Sequence, residues 1–210
     1  TQEDETLNVG LGYRYLTPDE AWLIGANIFY DRTFDRSHQR IGYGAEILWQ
    51  IGSVHFNFYD AVSGRRTYSE SSTIEVTERA LDGWDLEGQL QVPYLPWAYV
   101  GGRGFVWQGL TVKDTEGYAI SFIMNITKNM VIEVGRIDDD LDVDSFVTIS
   151  FTLGGPRRVE YTLADHPIMP QIFTNRDLKR QTLAKVRRNH NVIIEKVKTN
   201  SGGVIIGRGT

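Results

Sequence analysis

His38, His55, His166 and His190 are the only imidazoles in a 210-residue chain that contains no cysteine. Thiol nucleophiles, cysteine metal centres and disulfide frameworks are therefore excluded. The histidines fall in different stretches, and no serine or carboxylate recurs beside them at a fixed spacing, so the sequence alone assembles no Ser-His-carboxylate triad. A serine and a histidine brought to one rim would be the sign of a hydrolase. The densest acidic run is Asp138, Asp139, Asp140, Asp142 and Asp144. Carboxylates so spaced suggest calcium, yet an EF-hand loop starting at Asp140 would need glycine where Ser145 stands and glutamate where Phe151 stands. The run reads as a solvated loop, with a specific calcium site as the alternative. Gly101, Gly102 and Gly104 precede a strand rather than a helix, so they mark a strand that another segment approaches closely instead of a phosphate loop. No catalytic residue, metal or cofactor is expected.

Basic chemistry concentrates near the C-terminus, where Arg176, Lys179, Arg180, Lys185, Arg187, Arg188, Lys196 and Lys198 face only Asp177 and Glu195. Nucleic-acid binding would need aromatic side chains interleaved with these bases, and from 176 to 198 there are none. The acids lie elsewhere. Residues 1–153 hold 11 of the 22 Lys and Arg but 23 of the 27 Asp and Glu, a net charge of −12, against +7 for residues 154–210. Such a chain tends to associate with itself, while an acidic domain with a basic tail aimed at phosphates stays open as the other reading.

The elements that must position these charges are written in a period of two. Leu7, Val9, Leu11, Tyr13 and Tyr15 alternate with Asn8, Gly10, Gly12 and Arg14. Trp22 to Tyr30 alternates with Leu23, Gly25, Asn27, Phe29 and Asp31; Ile41 to Trp49 alternates with Arg40, Gly42, Gly44, Glu46 and Leu48. Val54, Phe56 and Phe58 alternate with His55, Asn57 and Tyr59. Period two places each set on its own face of a strand. Gly83 to Val92, Ala98 to Gln108, Gly117 to Thr127, Met130 to Arg136 and Ser145 to Leu153 continue the pattern, for nine strands in all. The phase of Ala98 to Gln108 is ambiguous because its glycines carry no side-chain signal. A soluble half-buried sheet and a membrane barrel share this alternation. Aromatic residues near segment ends, segments of about 9 to 11 residues, and connections that alternate short and long favour the barrel. Residues 16–20, 50–53, 93–97 and 127–129 read as short turns; 32–39, 61–81, 109–116 and 137–144 read as longer, charged loops. The polar positions Asn27, Asp31, Arg40, Glu46, Asn57, Asp85, Glu87, Gln89 and Glu133 then line the interior.

From 154 the alternation is lost, and Pro156, Pro167 and Pro170 disfavour a helix before Ile172. Thr174 and Asp177 resemble a capping box, which predicts a helix over about 174–188 and an extended segment over 189–198. Its thin apolar stripe of Leu178, Leu183 and Val186 suits a polar lumen better than a dry core. The division is a transmembrane β-barrel over 1–153 and a linker over 154–210.

The stretches LNVGLGYRYL (7–16), WLIGANIFYDRTFDRSHQRIGYGAEILW (22–49), GWDLEGQLQVPYLPW (83–97) and RRNHNVIIEK (187–196) resemble the intimin and invasin family, whose shared part is the inverse autotransporter β-domain. The resemblance covers most of the chain, while residues 105–116 fit it poorly. It implies an all-β, antiparallel up-and-down barrel of twelve strands in the bacterial outer membrane, followed by a helix and linker that thread and plug the pore. The nine strands match the family's fourth to twelfth, so the first three and a signal peptide are expected to precede them. Lys179, Arg180, Lys185, Arg187, Arg188, Asn191 and Glu195 are the implied pore-helix and linker residues. The implied partners are outer-membrane lipid, the barrel-assembly machinery, periplasmic chaperones and, only through a C-terminal passenger, a host or cell-surface receptor. A barrel enzyme or a porin-like channel without a passenger is the alternative.

Overall fold

Alternating side chains fold as strands because one register satisfies both faces at once. A computed structural model of the chain describes residues 5–71, 73–111, 113–140, 142–153, 160–200 and 203–209. Its strands are β1 (Thr6–Leu16), β2 (Trp22–Thr33), β3 (Gln39–Trp49), β4 (Gly52–Ala61), β5 (Arg66–Ser71), β6 (Ile74–Ala80), β7 (Gly83–Val92), β8 (Leu95–Trp107), β9 (Thr115–Thr127), β10 (Met130–Asp139), β11 (Val143–Phe151), β12 (Ile194–Asn200) and β13 (Gly203–Gly209). All nine expected strands form a single antiparallel sheet in the order β1-β2-β3-β4-β7-β8-β9-β10-β11. A second sheet, in the order β13-β12-β6-β5, joins a hairpin inside the 61–81 connection to the C-terminal segment. The sequence gives little sign of β5 and β6, whose partner β12 lies more than a hundred residues downstream.

One face of the large sheet is apolar and open. Leu11 is 79% exposed, Ile28 46%, Ile120 60% and Ile149 54%, in line with the alternating apolar stripes of their strands. The β8 phase is now fixed: Val100 is exposed opposite Leu90, and Gly102 and Gly104 share that face, whereas Gly101 packs against Ser121 on the other. Trp22 and Trp49 meet at 6.2 Å at the short-turn end. An apolar surface of this extent costs too much in water to be left bare, and hydrocarbon is the solvent that suits it. The opposite face is polar and carries two small cores. Leu23, Leu48 and Leu178, with Leu16, pack at the short-turn end; Tyr59, Leu81, Phe105, Trp107 and Ile193 pack at the other.

Several expectations need correction. Connections at 50–51, 93–94 and 128–129 are tight, and those at 62–82 and 108–114 are long, but the outermost pairs do not keep the contrast: 17–21 and 34–38 are alike, and 140–142 is short. Asp138 and Asp139 extend β10 and Asp144 lies in β11, so the acidic run is largely a hairpin rather than a loop. Among the described residues no cluster of His, Asp and Glu could hold a metal. The expected helix over 174–188 is absent; a single 3-10 turn, Leu178–Gln181, stands in its place. The extended segment is β12, which starts at Ile194 rather than 189. Pro156 and its neighbours at 154–159 lie outside the described residues. Finally, β1 and β11 each have one strand partner among the described residues, so closure of the sheet is not seen.

The open face predicts a depth-dependent penalty for charge. Ile28→Arg or Ile149→Arg should cost about 2–4 kcal/mol if the residue meets the bilayer midplane, seen as lost heat-modifiable, membrane-inserted protein. Asn27→Arg, on the polar face, should insert near wild-type levels. Equal tolerance of all three substitutions would show that this face does not meet lipid.

Candidate functional site: the polar face and the segment across it

The C-terminal segment crosses the polar face in reverse strand order. Leu163 and Ala164 donate backbone N–H groups to the Asn125 and Ile126 carbonyls at the end of β9. Trp97 Nε1 then donates to the Pro167 carbonyl at 2.8 Å, and Tyr94 and Ile172 are joined by a backbone hydrogen bond. The Gln91 amide holds both sides of Thr174, donating to its carbonyl at 3.0 Å and accepting from its N–H at 2.8 Å. Arg176 donates to the carbonyls of Trp49 and Gly52 at the β3–β4 turn. Leu178 next enters the Leu23 and Leu48 cluster, with Asp177 accepting from the Lys179 N–H at 2.9 Å.

Beyond the 3-10 turn, the sheet takes the carbonyls that a helix would keep. Arg14 Nη1 donates to the carbonyls of Gln181, Thr182 and Ala184 at 3.0, 3.1 and 2.6 Å. Asn57 donates to the Arg187 carbonyl and Arg40 to that of Asn189, at 3.1 and 2.9 Å. The Tyr59 hydroxyl accepts from the Asn189 N–H at 2.7 Å and donates to Asp85 at 2.8 Å. A helix needs those carbonyls for its own N–H groups four residues on, and its stripe of three apolar residues offers too little burial to compete. Charge-assisted bonds from the strands win.

The ion pairs run between strands and segment. Arg188 pairs with Asp31, which also accepts from Arg40 at 2.8 Å, and all three side chains are buried. The Arg188 guanidinium sits 4.4 Å from the Phe29 ring, and that ring lies against Gly10, where a Cβ would come within 2.4 Å of it. Gly10 is thus the platform that lets Phe29 lie flat beneath the cation. Arg187 pairs with Glu87 and lies 3.7 Å from Glu133. Arg103 pairs with Asp85 at 2.9 Å.

Of the residues proposed for the interior, Asp31, Arg40, Asn57, Glu87 and Glu133 touch the segment directly. Glu46 acts through Arg14, Asp85 acts through Tyr59 and Asn57, Gln89 donates to Glu87, and Asn27 packs over Gly44. On the segment, Arg187 and Arg188 are paired as above, and Glu195 is buried, accepting from the Leu110 and Thr111 N–H groups. The others stand at the margin: Lys179 pairs with Glu20 and Arg180 with Asp177, all partly exposed, and Lys185 and Asn191 are exposed. Arg14, Tyr59 and Arg103 also line this face, although they are not among the interior residues that the sequence marks. Arg14 and Tyr59 could have been, since each occupies an inward position of an alternating strand.

The structure does bring a serine and a histidine together. Ser53 Oγ lies 3.0 Å from His55 Nε2, and His55 Nδ1 lies 3.1 Å from Glu46. Acyl transfer also requires N–H donors for an oxyanion. Ser53 sits within β4, paired with Leu48 of β3 on one side and Gln89 of β7 on the other, so the ladders claim its backbone. Glu46 is in turn held by Arg14. The trio is a polar network of the sheet face.

Residues 1–190 match the family model described as inverse autotransporter, beta-domain. Similar proteins include the inverse autotransporter adhesin YeeJ of Escherichia coli (strain K12), 32% identical over 103 residues, which is 49% of this chain and 4% of that protein. The putative attaching and effacing protein homolog of the same strain is 34% identical over 97 residues, 46% of this chain and 32% of the relative. Its uncharacterized protein YchO is 34% identical over 96 residues, 45% and 19% respectively. The matched region is thus a minor part of each relative's length.

Removing the anion between two buried guanidinium groups should be severe. Asp31→Asn leaves Arg40 and Arg188 uncompensated, a loss of about 3–5 kcal/mol, detectable as a lower unfolding temperature of the detergent-solubilised protein. A change no larger than that of Asp35→Asn, at an exposed site, would show that the triad is not a stabilising contact.

Proposed function

The chain belongs to the inverse autotransporter β-domain family, whose members are outer-membrane proteins, and from that premise we propose that it anchors and helps to export a C-terminal passenger. The observation that carries this reading is the course of residues 160–198. They start at the short-turn end, cross the polar face, and leave at the long-loop end beside β6. A chain threaded through a pore would follow such a path. The two singly partnered edges, β1 and β11, would be closed by further strands of the full protein into a twelve-stranded barrel, because hydrocarbon tolerates no unpaired edge. The acidic side chains Asp31, Glu46, Asp85, Glu87 and Glu133 then line the pore, and the segment from Arg176 to Lys198 plugs it after the passenger has passed.

In this reading residues 1–153 are the membrane domain and 154–210 the linker. Outer-membrane lipid covers the apolar face, barrel-assembly machinery and periplasmic chaperones deliver the chain, and a receptor is met only by the passenger. The family's work is adhesion and anchoring rather than catalysis, and the pairing of Ser53, near the start of β4, with both β3 and β7 agrees with that.

Deleting residues 174–198 from the full-length protein should raise single-channel conductance in a planar bilayer several-fold. Glu46→Lys with Glu87→Lys should raise it partially, by loosening the Arg14 and Arg187 pairs. An unchanged conductance after the deletion would mean that the segment does not occupy the pore.

A further inference from the structure

Among the described residues the β5–β6 hairpin has no strand partner in the nine-stranded sheet; beyond its own two strands, its partner is β12. β6 and β12 pair along their whole length, from Ile194 opposite Ala80 to Asn200 opposite Ile74. Side chains reinforce the ladder. Lys196 Nζ lies 3.2 Å from Glu78 and Lys198 Nζ lies 2.8 Å from Glu70. Glu78 is 1% exposed and is also met by Arg36, His38 and the Tyr68 hydroxyl, which draws the 34–38 turn into the same junction. Val192 and Ile194 bury Ala80, and the Leu81 N–H donates to the Ile193 carbonyl at 2.9 Å. Glu195 reaches across to the 108–114 connection through two backbone N–H groups.

Without residues 192–200, one edge of β6 would present a row of unpaired N–H and C=O groups. Such an edge binds extended chain, with the backbone supplying affinity and alternate side-chain sites supplying selectivity. We propose that the β5–β6 hairpin is a docking strand for the emerging chain: it captures segment 192–200 of the same polypeptide by strand addition, reads Lys196 and Lys198 with Glu78 and Glu70, and so prevents back-slippage. This rests on the export reading above. A chain in transit is extended, which is the form strand addition requires, and the favourable pairing is available only at the long-loop end. The free energy of that pairing opposes the return of the linker into the pore.

The test uses the full-length protein with an epitope placed in its passenger, expressed in bacteria. The described chain has no cysteine, so a Thr77→Cys and Val197→Cys pair, at directly opposed positions, reports on docking. In a pulse-chase experiment the cross-link should form before the epitope becomes accessible to external protease. A cross-link that forms only afterwards, or never, overturns the proposal. Independently, replacing residues 66–80 by a short Gly-Ser connection should slow the appearance of the epitope several-fold at an unchanged level of inserted barrel. An unchanged rate overturns the docking role alone and leaves export standing, whereas a wild-type epitope that never reaches the surface overturns both.

Discussion

Asp31 is shared by two buried guanidinium groups, Arg40 from the neighbouring strand and Arg188 from a segment 157 residues away. Neither arginine could be buried without it, since a lone charge out of water costs several kcal/mol. The rest of the face is arranged by that constraint. Arg40, fixed by Asp31, presents Nη2 to the Asn189 carbonyl; Tyr59, beneath Arg40 at 4.3 Å, accepts from the Asn189 N–H. Around Arg188 and Asn189, position, charge and backbone satisfaction of the crossing segment therefore trace to one carboxylate and its immediate neighbours.

The same logic explains why the segment is irregular. An extended backbone has polar groups that secondary structure does not satisfy, and these must be met wherever it is buried. Here the strands supply side-chain donors in place of a ladder: Arg14 for three carbonyls, Asn57 and Arg40 for two more, Gln91 for both groups of Thr174. A sheet whose outer face is apolar can afford such a polar inner face because period-two alternation keeps the two chemistries from mixing within any strand.

What was legible in the sequence follows from range. Leu7 to Tyr15 and Ile41 to Trp49 announce their strands because both faces are written locally, and the stretch 22–49 carries its family resemblance for the same reason. The 61–81 connection hid β5 and β6, since Thr67, Ser69 and Glu70 have no apolar stripe, and what fixes them is β12 and the buried Glu78 junction. The helix over 174–188 failed in the opposite way. Thr174 and Asp177 are a genuine local start signal, and Asp177 does cap one turn, but Arg14 withdraws the carbonyls that would propagate it. β8 was undecided because Gly101, Gly102 and Gly104 carry no side chain, and only pairing with β7 and β9 fixed its faces.

The sheet and the crossing segment differ sharply in how far along the chain their partners lie. Within the nine-stranded sheet each strand pairs with the next in sequence, the sole exception being β4 with β7 around the inserted hairpin. Contacts of the crossing segment span far more, 130 residues for Asn189 with Tyr59 and 180 for Arg188 with Asn8. Short loops close sooner than long ones, so the rate of forming a contact falls as its sequence separation grows. Topology alone thus sets a clock: the wall can assemble as a series of neighbouring hairpins while the acidic face stays vacant, and the basic segment docks last.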